Sequence, residues 1–545
     1  MPHTPPAENA QPGPHGEKGG RRLTGLGLLK STSVVSAMTL LSRILGLVRD
    51  IVLARYFGAT IVMDAFIVAN RIPNMLRRFF AEGAFSQGFV PVMARYREKH
   101  DKAQSSEFVD AVAGTLGLIL FVVTLAGVIV APLLVLLVAP GFIGEDGRFD
   151  LATAMLRFTF PYLFFVSLTA FAGGVLNTYG KFAAPAFTPV ILNVVLIAAA
   201  MWLSPRLAEP GMALAYGVFI AGVAQLVFQI PFLAKIHAVP RPRWRPRHDG
   251  VRRVGTLMLP AIFGSSVAQV NVLVGGIIAS MLGVGKVSLL YYSDRLMEFP
   301  LGLFSIAIAT VTLPHLSRQH AKQSMLEFSL IVDWSMKLVF LIAIPAAVGL
   351  IVLAEPLVAT LFYGGQFSDY DVRMTALSLQ AFSLGLIGFS MVKILAPAYF
   401  AREDTKTPVK VGLVALAVNF GLSVTLAYGL SRSGYEGTHA GLALATSVAA
   451  LVNAWLLYRG LRRDRVFVHG KGWLPLLWRF AGANVMMALS LLWLNRPLDW
   501  WLQSGVVDRS LWLALIIGAG CSVYLLTLLA LGLRPGALRL RPDQA

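Results

Sequence analysis

Charged side chains inside apolar stretches are the residues of this sequence that could do chemistry. Between positions 42 and 50 the chain reads Ser-Arg-Ile-Leu-Gly-Leu-Val-Arg-Asp. Seven residues advance a helix by about 700°, which places Arg43 over Asp50 and Ser42 over Arg49 on two adjacent stripes. Arginine binds phosphate bidentately and stays charged at physiological pH. This polar face therefore predicts a site for an anion such as a diphosphate.

Further predicted helices carry ionisable residues of the same kind. The second helix (62–92) carries Asp64, Arg71, Arg77, Arg78 and Glu82. The eighth helix (287–318) carries Asp294, Arg295 and Glu298, and the tenth carries Lys393. Each such group is costly in hydrocarbon unless it faces a partner or a watery cavity. We expect helices 1, 2 and 8 to enclose a water-filled, net-positive cavity, with Arg78 and Glu82 able to pair. The alternative is a set of buried ion pairs that fix helix register, which suits Asp50, Asp294 and Glu298 best.

Motifs of known enzyme classes do not occur in the sequence. It has no Gly-rich phosphate loop before a helix, no Cys or His set at metal spacing, and no credible triad. The single cysteine, Cys521, lies in an apolar stretch and suits packing. We therefore expect no catalytic residues, no metal and no cofactor.

The composition requires a membrane environment. The chain has 545 residues, of which 56% are hydrophobic and only 14% charged. A helix needs about 20 apolar residues to cross a hydrocarbon core of roughly 30 Å. Long uncharged stretches recur at 111–144, 182–205, 210–234, 254–285, 374–392, 411–431, 480–495 and 510–533. We predict an all-α polytopic membrane protein with about fourteen transmembrane helices.

The formal charge of +19 is concentrated in every second loop. The positive-inside rule makes these loops cytoplasmic, with both termini on that side of a bacterial inner membrane. The strongest basic run, over 240–247, suits anionic lipid headgroups rather than nucleic acid. Residues 1–28 are too polar for a signal peptide and predict a disordered cytoplasmic tail.

Two halves of the chain resemble each other in order. Pro91-Val-Met-Ala-Arg95 matches Pro314-His-Leu-Ser-Arg318, and Thr188-Pro-Val190 matches Thr407-Pro-Val409. Such repeats are typical of transporters in which two bundles rock about a central site. We predict two six-helix lobes related by this repeat, plus two C-terminal helices. The predicted boundaries are 1–28 for the tail, 29–240 and 241–465 for the lobes, 466–535 for helices 13 and 14, and 536–545 for a second cytoplasmic tail.

Several motifs resemble the MurJ (MviN) family of lipid II flippases. They are Ser42 to Asp50, Asp64-Ala-Phe66, Pro73 to Pro91, Tyr291 to Pro300, Lys393 to Pro397 and Lys406 to Lys410. The resemblance implies the fold of the multidrug/oligosaccharidyl-lipid/polysaccharide exporter superfamily, with two lobes in a V and helices 13 and 14 forming a groove for the lipid tail. By the same resemblance, the residues that bind the headgroup are Ser42, Arg43, Arg49, Arg78 and Arg295. The supporting residues are Asp50, Asp64, Arg77, Glu82, Asp294, Glu298 and Lys393.

The resemblance implies transport of undecaprenyl-diphosphate-linked disaccharide pentapeptide to the outer leaflet, by alternating access, for peptidoglycan synthesis. The expected partners are lipid II and membrane lipids, with peptidoglycan synthases or divisome proteins as further candidates and no nucleic acid. Two alternatives stay open at this point. One is another exporter of the superfamily, for drugs or a different polyprenyl-linked glycan; the other is a non-transporting scaffold for cell-wall enzymes.

Overall fold

A computed structural model gives the arrangement of most of the chain. It describes residues 25–80, 83–99, 101–144, 146–302, 312, 314–319, 324–468, 470 and 472–533. The two predicted tails therefore lie outside the described residues, except for 25–28, which belong to the first helix. Glu82 also lies outside them.

The described chain is helical, as predicted, and contains no strand. In its first half the helices are α1 (Gly25–Phe57), α2 (Ile61–Phe80), α3 (Gly83–Lys99), α4 (Lys102–Ile129), α5 (Ala131–Val138), α6 (Arg148–Thr159), α7 (Tyr162–Thr178), α8 (Ala183–Ala198) and α9 (Met212–Lys235). Then follow α10 (Asp249–Ser280), α11 (Lys286–Pro300), α12 (Met325–Val352), α13 (Ala354–Leu361), α14 (Asp369–Leu384), α15 (Leu386–Phe400), α16 (Lys406–Arg432) and α17 (Thr438–Arg463). The last are α18 (Trp473–Leu494), α19 (Leu498–Gln503) and α20 (Val506–Ala530).

The helices are long and apolar enough to build a membrane bundle. Nine of those in the described chain can each cross a membrane, and α14 with α15, bent by 41°, forms a tenth span. On the predicted total of about fourteen, the more charged segments α1, α2 with α3, α10 and α11 are the candidates for the remaining four crossings.

Helix packing repeats between the two halves of the chain. In the first half α1 packs on α8, α2 on α6, and α9 on both α7 and α8. In the second half α10 packs on α16, α11 on α14, and α17 on both α15 and α16. We call these halves the N-lobe and the C-lobe. Helices α18 and α20 pack on each other and, through α18, on α12.

The two ends of the bundle differ in how the lobes share their cores. We call the end with the loops 179–182, 236–248, 401–405 and 464–468 the basic end, and the end with the loops 58–60, 139–144, 281–285 and 362–368 the far end. Toward the far end one hydrophobic core runs through both lobes, including Leu53, Phe57, Tyr292 and Phe362. Toward the basic end there are two smaller cores, one in the C-lobe and one in the N-lobe that also includes Val254 of α10. The lobes therefore share one continuous core at the far end, and toward the basic end they contact each other through α3 and α10.

Two glycines allow the close approach of the lobes at the far end. Gly58 and Gly365 both have positive φ, at 59° and 63°, a backbone conformation that other L-residues rarely adopt. A Cβ atom on Gly58 would collide with the carbonyl of Gln366, and one on Gly365 with the carbonyl of Arg55. A hydrogen bond joins the loop to α1, since Gln366 N donates to Arg55 O at 2.9 Å. Loop 362–368 of the C-lobe thus packs directly on the end of α1.

Candidate functional site

An ion-pair cluster joins α1 to α11 between the lobes. Arg49 Nη2 lies 2.7 Å from Asp50 Oδ1, and the Tyr291 hydroxyl donates to the same oxygen at 3.0 Å. Arg49 Nη1 donates to Asn193 Oδ1 on α8 at 3.1 Å. Asn193 in turn donates to the Ser42 carbonyl at 3.0 Å. Partners from α1, α8 and α11 therefore fix the orientation of the Arg49 guanidinium.

Arg295 is the more accessible cation of this cluster. Its side chain is 42% exposed, against 14% for Arg49. Arg295 Nη1 lies 3.1 Å from Glu298 Oε2, and its Nε lies 3.7 Å from Asp50 Oδ2. The guanidinium carbon stands 5.2 Å from the centre of the Tyr291 ring. An anion that enters the space between the lobes can thus reach Arg295 without first unpacking α1.

Other arginines extend from α1 and α2 toward the C-lobe. Arg78 Nη1 donates to Gln269 Oε1 on α10 at 3.2 Å. Arg71 is packed against Gly276 of α10, and Arg43 against Gly302 at the end of α11, so closely that a Cβ at either glycine would collide with the guanidinium. Glycine at these positions makes room for the cations.

The cluster is cationic overall. Without Arg77, which lines a separate cavity, the described residues over 43–50, 71–78 and 294–298 hold five arginines and three carboxylates. Guanidinium groups are strongly favoured for buried and bidentate recognition of phosphate. The arrangement can therefore hold a phosphate or diphosphate between the lobes, provided that the ligand replaces carboxylate partners.

Asp64 lies at the far end, on the turn that opens α11. Its Oδ2 accepts from Gly285 N at 2.7 Å, and its Oδ1 accepts from Ser288 N at 2.9 Å and Ser288 Oγ at 2.6 Å. A carboxylate at a helix N-terminus satisfies free N–H groups and the helix dipole. Arg148 Nη1 stands 4.0 Å from the same carboxylate. The structure thus gives Asp64 a direct contact between the lobes rather than a place beside Arg49.

The remaining predicted residues occupy different surroundings. Asp294 lies on α11, where it interacts electrostatically with Arg71 and Arg295. Arg77 lies on α2 and lines a cavity inside the N-lobe. Lys393 is exposed on α15, which packs mainly on α12 and α17. The predicted pairing of Arg78 with Glu82 falls on a residue outside the described ones.

Three contributors to the cluster were not assigned from the sequence: Tyr291, Asn193 and Gln269. Tyr291 belongs to a motif that carries the family resemblance, and in the structure it forms hydrogen bonds with both Arg49 and Asp50. Asn193 and Gln269 are amides inside apolar stretches, which is itself a signal because buried polar groups need partners. Within the described part of the chain, no group of three or more His, Cys, Asp or Glu side chains is placed to hold a metal ion.

Comparison with known proteins places the chain in a family. The family model described as lipid II flippase MurJ matches residues 53–509. A probable lipid II flippase MurJ of Vibrio cholerae is 46% identical over 93% of this chain and 97% of its own length. A lipid II flippase MurJ of Burkholderia cenocepacia is 40% identical over 95% of this chain and all of its own length.

Solved structures share the fold. A lipid II flippase MurJ in an inward closed conformation superposes with a TM-score of 0.73 at 24% identity, covering 90% of this chain and 97% of that one. An inward-facing multidrug transporter of the MATE family gives a TM-score of 0.62 at 14% identity, covering 79% of this chain and 98% of that one. The extent and identity of the matches with the family model and the curated relatives show that this chain belongs to the lipid II flippase MurJ family.

Proposed function

We propose that the protein moves lipid II from the inner to the outer leaflet of the bacterial cytoplasmic membrane. Its family membership supports this, because the match to relatives named as lipid II flippases runs over nearly the whole chain. On this proposal the protein is a transporter and not an enzyme: the headgroup is carried, and no bond in it is made or broken.

The orientation that we propose puts the basic end in the cytoplasm. Most loop arginines and lysines lie at that end, as the positive-inside rule requires. Both termini are then cytoplasmic, and the far end faces the periplasm. We also propose that the two lobes extend over 29–240 and 241–465, with helices α18 and α20 as a separate hairpin over 466–535.

The observation that carries the proposal is the Arg49, Asp50, Arg295 cluster between the lobes. Asp50 shares its two oxygens between both arginines, at 2.7 Å and 3.7 Å. A diphosphate offers more acceptor oxygens and more charge than one carboxylate, so it can replace Asp50 as their common partner. Ser42, Arg43 and Arg78 are the further residues that we assign to the headgroup, on the same space between the lobes.

The direction of access follows from the arrangement of the cores. Because the lobes share one continuous core at the far end, whereas toward the basic end they have two smaller cores and meet through α3 and α10, we infer that the substrate enters from the cytoplasmic side. Transport then requires that contacts at the far end break while the basic end closes. Binding can drive such a change only if the substrate has different affinities for the two states.

The lipid tail needs a route outside the cationic site. Helices α18 and α20 carry exposed apolar side chains, including Trp478, Trp493 and Leu526. We propose that the undecaprenyl tail lies along this hairpin while the headgroup crosses. Membrane lipids contact the same surface, and peptidoglycan synthases or divisome proteins are candidate protein partners.

The test is an assay of lipid II flipping in intact cells after rapid inactivation of this protein. We expect outward-facing lipid II to fall at once and lipid II to accumulate inside. Unchanged flipping with a loss of drug efflux, or of another glycan, would indicate a different exporter. A scaffold should tolerate both Arg49→Ala and Arg295→Ala, whereas a flippase that uses this site should not.

A further inference from the structure

A cavity of about 530 Å³ lies inside the N-lobe, apart from the ion-pair cluster. Its walls come from α2, α3, α7, α8 and α9, and they include Arg77, Tyr162, Thr169, Thr188, Gln225 and Gln229. The volume falls within the usual range of small-molecule sites, about 300 to 1,000 Å³. Ser86 and Gln87 line it and are exposed, whereas Gln225 and Gln229 are buried. The cavity therefore runs from an open mouth to a buried polar floor.

The hydrogen bonds of the floor fix the orientation of both glutamines. Gln225 Nε2 donates to the Thr188 carbonyl at 2.9 Å, and a carbonyl can only accept. The Thr188 hydroxyl donates to the Ala184 carbonyl at 3.2 Å, so it can only accept from Gln229 Nε2, which lies at 3.0 Å. These partners identify the nitrogen of each side-chain amide, because both partners can only accept. The oxygen of each amide takes no part in these hydrogen bonds.

Those two oxygens are acceptors without a donor in the described part of the chain. Gln225 Oε1 and Gln229 Oε1 are buried and form no hydrogen bond with it, and the same holds for Thr169 Oγ1. Gln225 is 3% exposed and Gln229 is 1% exposed, so their desolvation is nearly complete. A buried polar atom without a partner costs stability, which in a native site points to a ligand that supplies the partner.

The lining defines the chemistry of that ligand. Paired amide acceptors require O–H or N–H donors, and the rings of Tyr162 and Phe85 offer apolar faces. No carboxylate is among the described residues that line the cavity, so the site does not select a cation. Sugars combine hydroxyl donors with an apolar ring face. Arg77 is the one charged group among the described lining residues, and the acceptor oxygens of the floor disfavour an anion beside them, so the floor fits a neutral carbohydrate.

The cavity also adjoins the site proposed for the diphosphate. Leu192 lines it, and the next residue of α8, Asn193, holds the Arg49 guanidinium at 3.1 Å. On α2, Arg77 lines the cavity and its neighbour Arg78 reaches Gln269 of the C-lobe. The cavity and the proposed diphosphate site therefore lie next to each other along α2 and α8.

We propose that this cavity binds the amino sugar attached to the diphosphate, through donors that meet Gln225 Oε1 and Gln229 Oε1. The proposal rests on the flippase function proposed above and assigns the N-lobe a carbohydrate subsite beside the phosphate site.

The test compares two ligands on the full-length protein in lipid nanodiscs: lipid II and undecaprenyl diphosphate, which lacks the sugars and the peptide. The variants Gln225→Met and Gln229→Met keep side-chain length and remove the acceptor. Each variant should weaken lipid II binding about tenfold, because the loss of one hydrogen bond to a buried group changes an affinity by about that factor. Each should leave undecaprenyl diphosphate binding unchanged. Arg49→Ala should weaken both ligands.

A matched control lies in the C-lobe. Gln380 also donates to a backbone carbonyl, that of Ile351 at 3.2 Å, but lies outside the cavity, so Gln380→Met should leave both affinities unchanged. Should a glutamine variant fail to fold, Thr169→Val tests the same floor with a smaller change.

Two results would overturn the carbohydrate subsite. Equal weakening of both ligands would make the glutamines structural, and no weakening of either would mean that the cavity holds water only. In both cases wild-type flipping and its loss in Arg49→Ala would leave the proposed function intact. If the wild-type protein bound neither ligand, the proposed function would fail as well.

Discussion

Asp64 on α2 of the N-lobe caps α11 of the C-lobe through Ser288, whose backbone N and side-chain Oγ both donate to Asp64 Oδ1, at 2.9 Å and 2.6 Å. This carboxylate is fully buried and joins the lobes at the end where their core is continuous. If the lobes rock during transport, these bonds must break in each cycle. The contact therefore holds the far end closed in the state described here.

Replacing Asp64 by asparagine should open the far end more often. The amide keeps one acceptor oxygen but turns its NH2 group toward either the Gly285 donor or the Ser288 donors, and it loses the charge. Hydrogen bonds to charged groups contribute about 1.5–3 kcal/mol, so the closed state should lose stability on that order. Val68 is fully buried one turn along the same helix and can report the opening as a cysteine.

The measurement uses Val68→Cys in a Cys521→Ser background, which has no other cysteine. A membrane-impermeant thiol reagent added outside the cell should label this cysteine faster when Asp64→Asn is also present. Equal labelling rates with and without the Asp64→Asn substitution would show that the cap does not hold the far end closed.

Arg49→Ala and Arg295→Ala should each abolish complementation at normal expression. Removal of either cation leaves Asp50 with an incomplete set of donors and takes away a partner of the diphosphate. Arg49→Lys should also fail, because one ammonium cannot reach Asp50, Asn193 and Tyr291 as the guanidinium does. The readout is growth after depletion of the chromosomal copy, with expression checked by immunoblot.

Arg432→Ala is the matched control for these arginines. Arg432 is exposed and stacks over Tyr428 at the far end of α16, 4.8 Å from the ring centre. Growth like that of the wild type is expected. Normal growth of both Arg49→Ala and Arg295→Ala would instead refute the site assignment.

Gly365→Ala should destabilise the protein and impair transport. Its φ of 63° costs a non-glycine residue on the order of 1–3 kcal/mol, and the added Cβ would meet the Arg55 carbonyl. Gly117→Ala is the control, because this glycine lies inside α4 with no neighbouring atom near an added Cβ. Thermal unfolding should show a lower Tm for Gly365→Ala and an equal or higher one for Gly117→Ala. A Tm for Gly365→Ala equal to the wild-type value would show that this contact does not constrain the far end.

Asp333 anchors the C-terminal hairpin to the C-lobe, and its loss should loosen the hairpin. The carboxylate accepts from Trp473 Nε1 at 2.6 Å and Gly470 N at 3.2 Å, and it pairs with Lys337 at 2.6 Å. Asp333→Ala leaves these donors without their acceptor, which should lower the free energy of unfolding by about 1–3 kcal/mol. Glu327→Gln, an exposed position on the same helix, should have no effect on the Tm. If the two variants melted at the same temperature, the anchor would be unimportant.

The helical architecture was predictable from the sequence because its signals are local. Apolar stretches of about 20 residues and the alternation of basic loops predict about fourteen spans and two repeated lobes. Helix ends were less accurate: α10 begins at Asp249, before the uncharged stretch that starts at 254. This extension contains basic residues, and hydropathy does not report helix outside the membrane.

Part of the cationic cluster could also be predicted from the sequence, because its signals are local. Charged residues in α1, α2 and α11 are visible in the sequence, and the pairing of Arg295 with Glu298 follows from their helical spacing. The pairing of Arg49 with Asn193 and of Asp64 with Ser288 joins residues far apart in the chain, and no periodicity reports such contacts. The assignment of Ser42, Arg43, Arg49, Arg78 and Arg295 to the headgroup, and of the supporting residues around them, stays a prediction.

The central claim is that Arg49 and Arg295 together hold the diphosphate of lipid II while the lobes change access. The most direct measurement uses purified full-length protein in lipid vesicles with fluorescent lipid II, and scores the fraction that becomes accessible to an impermeant quencher on the opposite leaflet. We predict rapid exchange with the wild-type protein and with Arg432→Ala, and exchange at the protein-free rate with Arg49→Ala or Arg295→Ala. Wild-type exchange rates in both of those variants would contradict the account.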